Sequence, residues 1–375
     1  MEATPTSGRE LLAAAGVLFP DEQGRVLVVR LPYDRKHPVA IPGGGWEPAD
    51  LSPRETALRE IAEELGFTPT LGPLACVDWS LAYSRPPIAA HLYWAEPIGA
   101  EQAAAIRADA EEVGGWAWLT PEEAGHALPP RLSRRVTACL RAPRAAGPLE
   151  LEDSWPVGHT LDHLAVEPTP EYTGLAGVSS LGSSRTAAPE PPLDRATYLA
   201  TRPRIRAKAR TVFTDAAGRV LLVRLRPWDG PRGLVPYWTL PGGSIEADRE
   251  QPRAAARREV REELGWEVEP GRLLALDWLP SAAADPARER DTAVLVYVFD
   301  GGTVTDGMLA TIALAEDELV DWRLCDPAEA RALLSARSWG RTACALAARE
   351  RAGGPVELVD GEPVGQQPVG WKPVG

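Results

Sequence analysis

Leu240 to Trp266 reads LPGGSIEADREQPRAAARREVREELGW, and the rest of the chain can be interpreted outward from it. A glycine pair, Gly242–Gly243, follows an apolar run and precedes a predicted helix carrying Glu259, Glu262 and Glu263. Positions i, i+3 and i+4 lie on one helix face, so the three carboxylates cluster. Ala256, Val260 and Leu264 recur every fourth residue on another face, which is the predicted core side. Like charges at this spacing destabilise a bare helix by roughly 0.2–0.5 kcal/mol per adjacent pair. A cation is therefore expected to compensate. Arg258 and Arg261 can do part of this, and a hard divalent metal with oxygen ligands the rest.

An isolated acidic pair is ordinarily a solvated helix face, but here the pattern occurs twice. Ile41 to Phe67 reads IPGGGWEPADLSPRETALREIAEELGF. At one constant offset, Gly43, Gly44, Arg59, Glu60, Glu63 and Glu64 fall on Gly242, Gly243, Arg258, Glu259, Glu262 and Glu263. Surface charge does not account for Pro-Gly-Gly, a fixed gap and Arg-Glu-x-x-Glu-Glu-Leu-Gly recurring together. The correspondence extends to both sides. Gly24–Leu31 parallels Gly218–Leu225, and an Asp-Trp pair follows each run at Asp78–Trp79 and Asp277–Trp278. Strand-like segments come next, at His91–Trp94 and Ala293–Phe299. Acidic patches with Glu112 and Glu318 precede Trp116 and Trp322, and a closing helix is predicted over about 129–142 and 327–350. Ser52, Pro53 and Glu55 predict an N-cap, a proline in the first turn and a capping-box glutamate for the first helix.

These residues resemble the Nudix box, the defining motif of the Nudix hydrolase family. Both copies match its second half, as Arg59-Glu60-Ile61-x-Glu63-Glu64-x-Gly66-Phe67 and Arg258-Glu259-Val260-x-Glu262-Glu263-x-Gly265-Trp266. In the first half of the motif the second copy has the expected glutamate, Glu250, but Ser244 in place of glycine. The first copy has Gly45, but Leu51 at the glutamate position with Asp50 beside it. The first box is accordingly expected to have a weakened metal shell and the second to be the more complete site.

The resemblance implies an α/β fold of two tandem Nudix-type α/β/α sandwiches with mixed β-sheets. It implies metal-dependent hydrolysis of a phosphoanhydride in a nucleoside diphosphate linked to another moiety. Glu259, Glu262, Glu263 and Glu250, with Glu60, Glu63 and Glu64 in the first copy, would hold Mg²⁺ or Mn²⁺. Arg258 and Arg59 would orient the glutamates. The pairs Gly242–Gly243 and Gly43–Gly44 would let the backbone turn beside the phosphates. Glu112 and Glu318 match the region where the family often places a further acid. Pro280 suggests ADP-ribose-type substrates, although the first copy has Leu81 there, and modified nucleoside triphosphates stay open. The competing reading is a non-enzymatic nucleotide sensor, with the first domain as a degraded pseudo-dimer scaffold within the chain.

Composition agrees with two ordinary domains: 375 residues, 44% hydrophobic and 25% charged. A net charge of −13 argues against a nucleic-acid polymer as partner but not against a nucleotide or nucleotide-sugar bridged by metal. Cys76, Cys139, Cys325 and Cys344 are scattered without a CxxC pair, as in reduced core thiols of a cytoplasmic protein. No apolar stretch approaches the roughly 20 residues of a membrane helix. Expected boundaries are 1–158 for the first domain, 159–200 for a Pro/Ser/Gly-rich linker, 201–362 for the second domain and 363–375 for a disordered Pro-Val-Gly tail. His159 and His163 lack the partners of a metal site. Trp46, Trp238 and the loop Arg226–Pro236 border the glycine turns as candidate substrate contacts.

Overall fold

The computed structural model describes residues 8–81, 86–98, 102–103, 106–107, 112–178, 195–226, 237–285, 290–351 and 353–364. Most of the loop Arg226–Pro236 and nearly all of the tail lie outside this range. By contact the chain divides into two units, Leu11–Arg204 and Ile205–Gly375, the latter joined by the chain start up to Glu10.

In the first unit β1 (Glu10–Leu18) runs parallel to β6 (Ile88–Ala95) and antiparallel to β4 (Gly43–Gly45). Strand β5 (Leu71–Ser80) pairs antiparallel with β6 and parallel with β8 (Leu149–Glu152), which turns into β9 (Trp155–Pro156). A smaller antiparallel sheet joins β2 (Val26–Arg30) to β3 (Val39–Ala40) and β7 (Trp116–Leu119). Among the described residues of this unit are helices α1 (Pro53–Leu65), α2 (Pro121–Ala127), α3 (Pro130–Arg141) and α4 (Arg195–Thr201).

The second unit repeats this plan. Strand β10 (Ile205–Thr214) is parallel to β14 (Val294–Thr303), which pairs antiparallel with β13 (Leu273–Leu279). In turn, β13 is parallel to β16 (Val356–Val359), which returns as β17 (Glu362–Pro363). Strand β11 (Val220–Leu225) pairs antiparallel with β10, β12 (Trp238–Thr239) and β15 (Leu319–Cys325). Its helices are α5 (Pro252–Leu264), α6 (Asp306–Leu309), α7 (Pro327–Leu333) and α8 (Ala336–Arg349). The expected closing helix over 327–350 is thus two helices. Leu334 is extended, Ser335 caps the second helix, and an Asp326–Glu329 capping box starts the first. The short helices α2 and α6 had no periodic signal long enough to reveal them.

Strand side chains alternate between faces, and both faces here are covered. Val212, Val220 and Leu222 pack with Cys344, Ala345 and Ala348 of α8. Their neighbours Phe213, Leu221 and Val223 pack with Val260 and Leu264 of α5. A sheet carrying a separate apolar cluster on each side, each sealed by a helix, is an α/β/α arrangement with mixed strands.

Residues 159–178, expected to be linker, are partly folded onto the first unit. His159 and Thr160 are buried, and Val178 belongs to its core. His159 lies 3.7 Å from Glu150 and 3.2 Å from the Pro148 carbonyl, so it is a packed core histidine.

The repeated Asp-Trp pairs also find their reason. Asp78 is fully buried on β5 and accepts from both the backbone N–H and the hydroxyl of Ser154, at 2.8 Å each, and from Arg135 at 2.6 Å. Asp277 on β13 accepts from the Gly361 N–H at 2.9 Å and from Arg341 at 2.7 Å. Each aspartate thereby ties the terminal hairpin and the closing helix to the sheet. Removing one partner of a buried ion pair leaves the other charge uncompensated, at roughly 3–5 kcal/mol. Asp277→Ala is expected to lower the stability of the second unit by about that amount, read as a lower urea midpoint; an unchanged midpoint contradicts the account.

Candidate active site

Each acidic site begins where a central strand meets a glycine turn. The amide N–H of Thr211 donates to the Pro241 carbonyl, and that of Ala209 to the Gly243 carbonyl, pinning the turn to β10. This forces Gly242 to φ 126°, and Gly43 in the first unit to φ 134°, values that disfavour any side chain. A Cβ on either would also meet the strand carbonyl beneath, Ala209 or Ala15. The freed N–H has a specific use. Gly242 donates to Glu263 at 2.6 Å, and Gly43 to Glu64 at 2.8 Å. The second glycine of each pair serves differently. A Cβ on Gly243 would come within 2.3 Å of a Glu259 carboxylate oxygen, and one on Gly44 within 2.4 Å of Glu60. The glycines are spacers that let glutamates lie against the backbone.

The box helices present the faces expected of them. Ala256, Val260 and Leu264 are fully buried, as are Ala57, Ile61 and Leu65. Ser52 caps α1 by accepting from the Glu55 N–H, and the Glu55 carboxylate accepts from the Leu51 N–H at 2.8 Å. On the acidic face Arg258 acts as a clamp. Its Nη1 donates to Glu259 at 2.8 Å and to Glu262 at 2.9 Å, while Nε and Nη2 grip Glu250 at 3.0 and 2.7 Å. Nη2 also holds the Ser244 carbonyl at 3.1 Å. Arg261 does not join in; it faces Glu267 at 4.0 Å.

The first site has the same framework, contact for contact. Arg59 donates through Nη1 to Glu60 and Glu63, at 3.0 Å each, and through Nη2 to the Gly45 carbonyl at 3.0 Å. In place of Glu250 it grips Asp50, at 3.1 and 3.0 Å. The weakening expected from Leu51 is absent from the framework, because a shorter acid one residue earlier reaches the same guanidinium. Asp50, noted in the sequence only as the neighbour of Leu51, takes the place of Glu250. Trp46 is buried and donates to the Asp50 carbonyl at 3.1 Å, so it braces the box loop and offers no face for stacking. Trp238 is half-buried with the Arg323 guanidinium 5.3 Å above its ring.

Burial governs the electrostatics. It pushes Glu263 up to about 8; Arg210 and the Gly242 N–H oppose the shift, and Glu259 and Glu318 add to it. Glu64 is likewise pushed up to about 8 by burial, opposed by the Gly43 N–H and reinforced by Glu60, Glu112 and Glu63. Glu112 and Glu318 are exposed, yet both come within electrostatic range of their boxes. Burial raises Glu60 and Glu259 as well, against their arginines.

Among the described residues no three acidic, histidine or cysteine side chains converge as a ready ion-binding group. The expected convergence on an ion is found instead as convergence on arginine and on a glycine N–H. The donor set nonetheless suits a hard divalent cation. It offers three carboxylates on successive turns, oxygen ligands only, with negative charge that burial leaves under-compensated.

Both halves of the chain match a family model described as the NUDIX domain, over residues 10–138 and 204–345. An uncharacterised Nudix hydrolase of Rhodococcus erythropolis, orf19, is 31% identical over 129 residues, covering 30% of this chain and 65% of that protein. The chain therefore spans slightly less than two thirds of that relative. Among solved structures, the MutT protein of Methanosarcina mazei Go1 is 23% identical over 35% of this chain and 84% of its own, with a TM-score of 0.28. An ADP-ribose pyrophosphatase from Streptococcus suis 89-1591 is 19% identical over 41% of this chain and 97% of its own, also with a TM-score of 0.28.

The pKa shifts set a pH dependence. Glu263 binds its proton more tightly when folded, at about 8 against an ordinary 4.5. Its contribution to stability is therefore fully present below about pH 4.5 and lost as pH rises toward 8. Without divalent metal, Glu263→Gln is expected to flatten the fall in denaturation midpoint between pH 5 and pH 8. An identical pH slope in the variant would show that the carboxylate is not strained by burial.

Proposed function

This chain belongs to the NUDIX family, and on that premise we propose that it hydrolyses a phosphoanhydride bond in a nucleoside diphosphate linked to another moiety. The observation that carries the proposal is the duplicated clamp, in which one arginine gathers the box carboxylates beside a glycine turn. Glu259, Glu262 and Glu263, and Glu60, Glu63 and Glu64, would hold Mg²⁺ or Mn²⁺. Such an ion neutralises pyrophosphate charge and lowers the pKa of a water when bound.

The chain's own groups prepare the site. Gly242 and Gly43 hold the innermost carboxylate through their N–H. Arg258 and Arg59 keep the outer carboxylates within two hydrogen-bond lengths of each other through a shared nitrogen. Glu250 and Asp50 fix those arginines by two-point contacts, which orient a guanidinium as a single bond cannot. Glu318 and Glu112, exposed acids within electrostatic range of Glu263 and Glu64, are the proposed further acids outside each box. Pro280 is buried after β13, so it would favour ADP-ribose-type substrates by shaping the chain rather than by contact. With both frameworks assembled, each domain is proposed to be competent, in place of a degraded first copy.

Turnover of nucleoside triphosphates, ADP-sugars and dinucleoside polyphosphates with Mg²⁺ tests the reading on the full chain. Glu262→Gln with Glu263→Gln, and separately Glu63→Gln with Glu64→Gln, are each expected to remove part of the activity. The four substitutions together should lower it roughly 100-fold or more. Nucleotide binding by calorimetry with no product under either metal would favour the sensor reading instead.

A further inference from the structure

The two sites share a framework but differ in what lies beneath it. Gly242 rests on the backbone of Ala209 and Arg210 in β10, and Gly43 rests on Ala15 and Gly16 in β1. Arg210 thus stands where the first unit has Gly16. The space around Gly16 is filled by Ile41 and Leu92, within 3.0 Å of where a side chain would begin. At the matching position of the second unit Arg210 is only 6% exposed. Its Nη1 donates to the Leu240 carbonyl at 3.0 Å and also to the Gly242 carbonyl. It lies within electrostatic range of Glu263 and Glu259.

Burying a guanidinium is costly unless its donors are satisfied. Here the Nη1 donors are spent on the turn that aims the Gly242 N–H at Glu263. One nitrogen holds the carbonyls of the two peptides on either side of the Pro241–Gly242 peptide, whose own carbonyl accepts from the Thr211 N–H at 2.9 Å, so both ends of the segment between Leu240 and Gly243 are braced. The Pro241–Gly242 peptide carries the N–H bonded to Glu263 at 2.6 Å. The first unit reaches the same turn without a cation.

We propose that Arg210 is a positioning residue of the second site, bracing the carbonyls on either side of the Pro241–Gly242 peptide so that Glu263 keeps its place, and that this makes the two sites of the chain unequal. The activity arm of the test rests on the hydrolase reading; the structural arm does not. The parent is the full chain carrying Glu63→Gln and Glu64→Gln, so that turnover reports on the second site. Arg210→Met keeps the bulk and removes the charge and donors. Arg210→Lys restores a charged donor, and Arg210→Gln serves if the methionine variant does not fold.

Amide exchange at Gly242 is measured in the chain with Glu63 and Glu64 intact, where Gly43, still bonded to Glu64, acts as the internal reference. The expected result for Arg210→Met is exchange about 10-fold faster at Gly242 with Gly43 unchanged. With the same substitution in the parent, kcat should fall by about 10–100-fold while KM stays within about threefold, and lysine should recover most of the loss. Unchanged exchange at Gly242 overturns the positioning role whatever the turnover. Faster exchange in Arg210→Met, when the chain with both sites intact turns over none of the nucleotides, supports the positioning role and sinks the hydrolase reading instead. Methionine and lysine both matching the arginine chain in both measurements would reduce Arg210 to a space-filler and also overturn the proposal.

Discussion

A guanidinium between carboxylates holds each site together. Three acids on adjacent turns of one helix repel one another, and burying two of them makes ionisation harder still. Arg59 and Arg258 relieve that repulsion by binding two box acids through one nitrogen and a further acid through the others. Fork geometry is what permits this; a lysine would present one charged point and no second edge. The remaining acid, Glu64 or Glu263, is out of the clamp's reach and relies on a glycine N–H. That need explains why the turn must be glycine and why it must sit hard against the strand.

The rest of the architecture serves that placement. The box helix packs its apolar stripe on one face of the sheet, and the closing helix covers the other. Strand alternation makes both covers compulsory, since leaving either face open would expose a continuous apolar surface. The buried aspartates Asp78 and Asp277 finish each unit by tying the last hairpin to the sheet and the closing helix. A polar tie of this kind is specific in a way that apolar packing is not, because a shifted register would strand a buried charge.

Duplication gives the molecule an internal comparison. Two sequences that diverged at Leu51 and Glu250 converge on one geometry, because what the arginine requires is a carboxylate within reach rather than a residue at a given position. Asp50 meets that requirement from one position earlier with a side chain one methylene shorter. The opposite case is Gly16 against Arg210, where one framework is supported from below by apolar bulk and the other by a cation. The two halves therefore differ more in their supports than in their acids.

Local pattern was enough to establish that the chain is a repeat. It also located the box helices, their core faces, the cap at Ser52 and the acids and glycines that the fold gathers around each box arginine, since helical spacing and turn chemistry are properties of short runs. Contacts between distant residues left no such trace. That Asp50 replaces Glu250, that Arg261 turns away to Glu267, that Trp46 is a brace and that residues 159–178 fold back on the first unit are decided by packing. The same holds for Arg210, which in sequence is one more charge in an alternating strand. A linear pattern records which face a side chain takes, and only the folded chain determines which backbone carbonyls wait on that face.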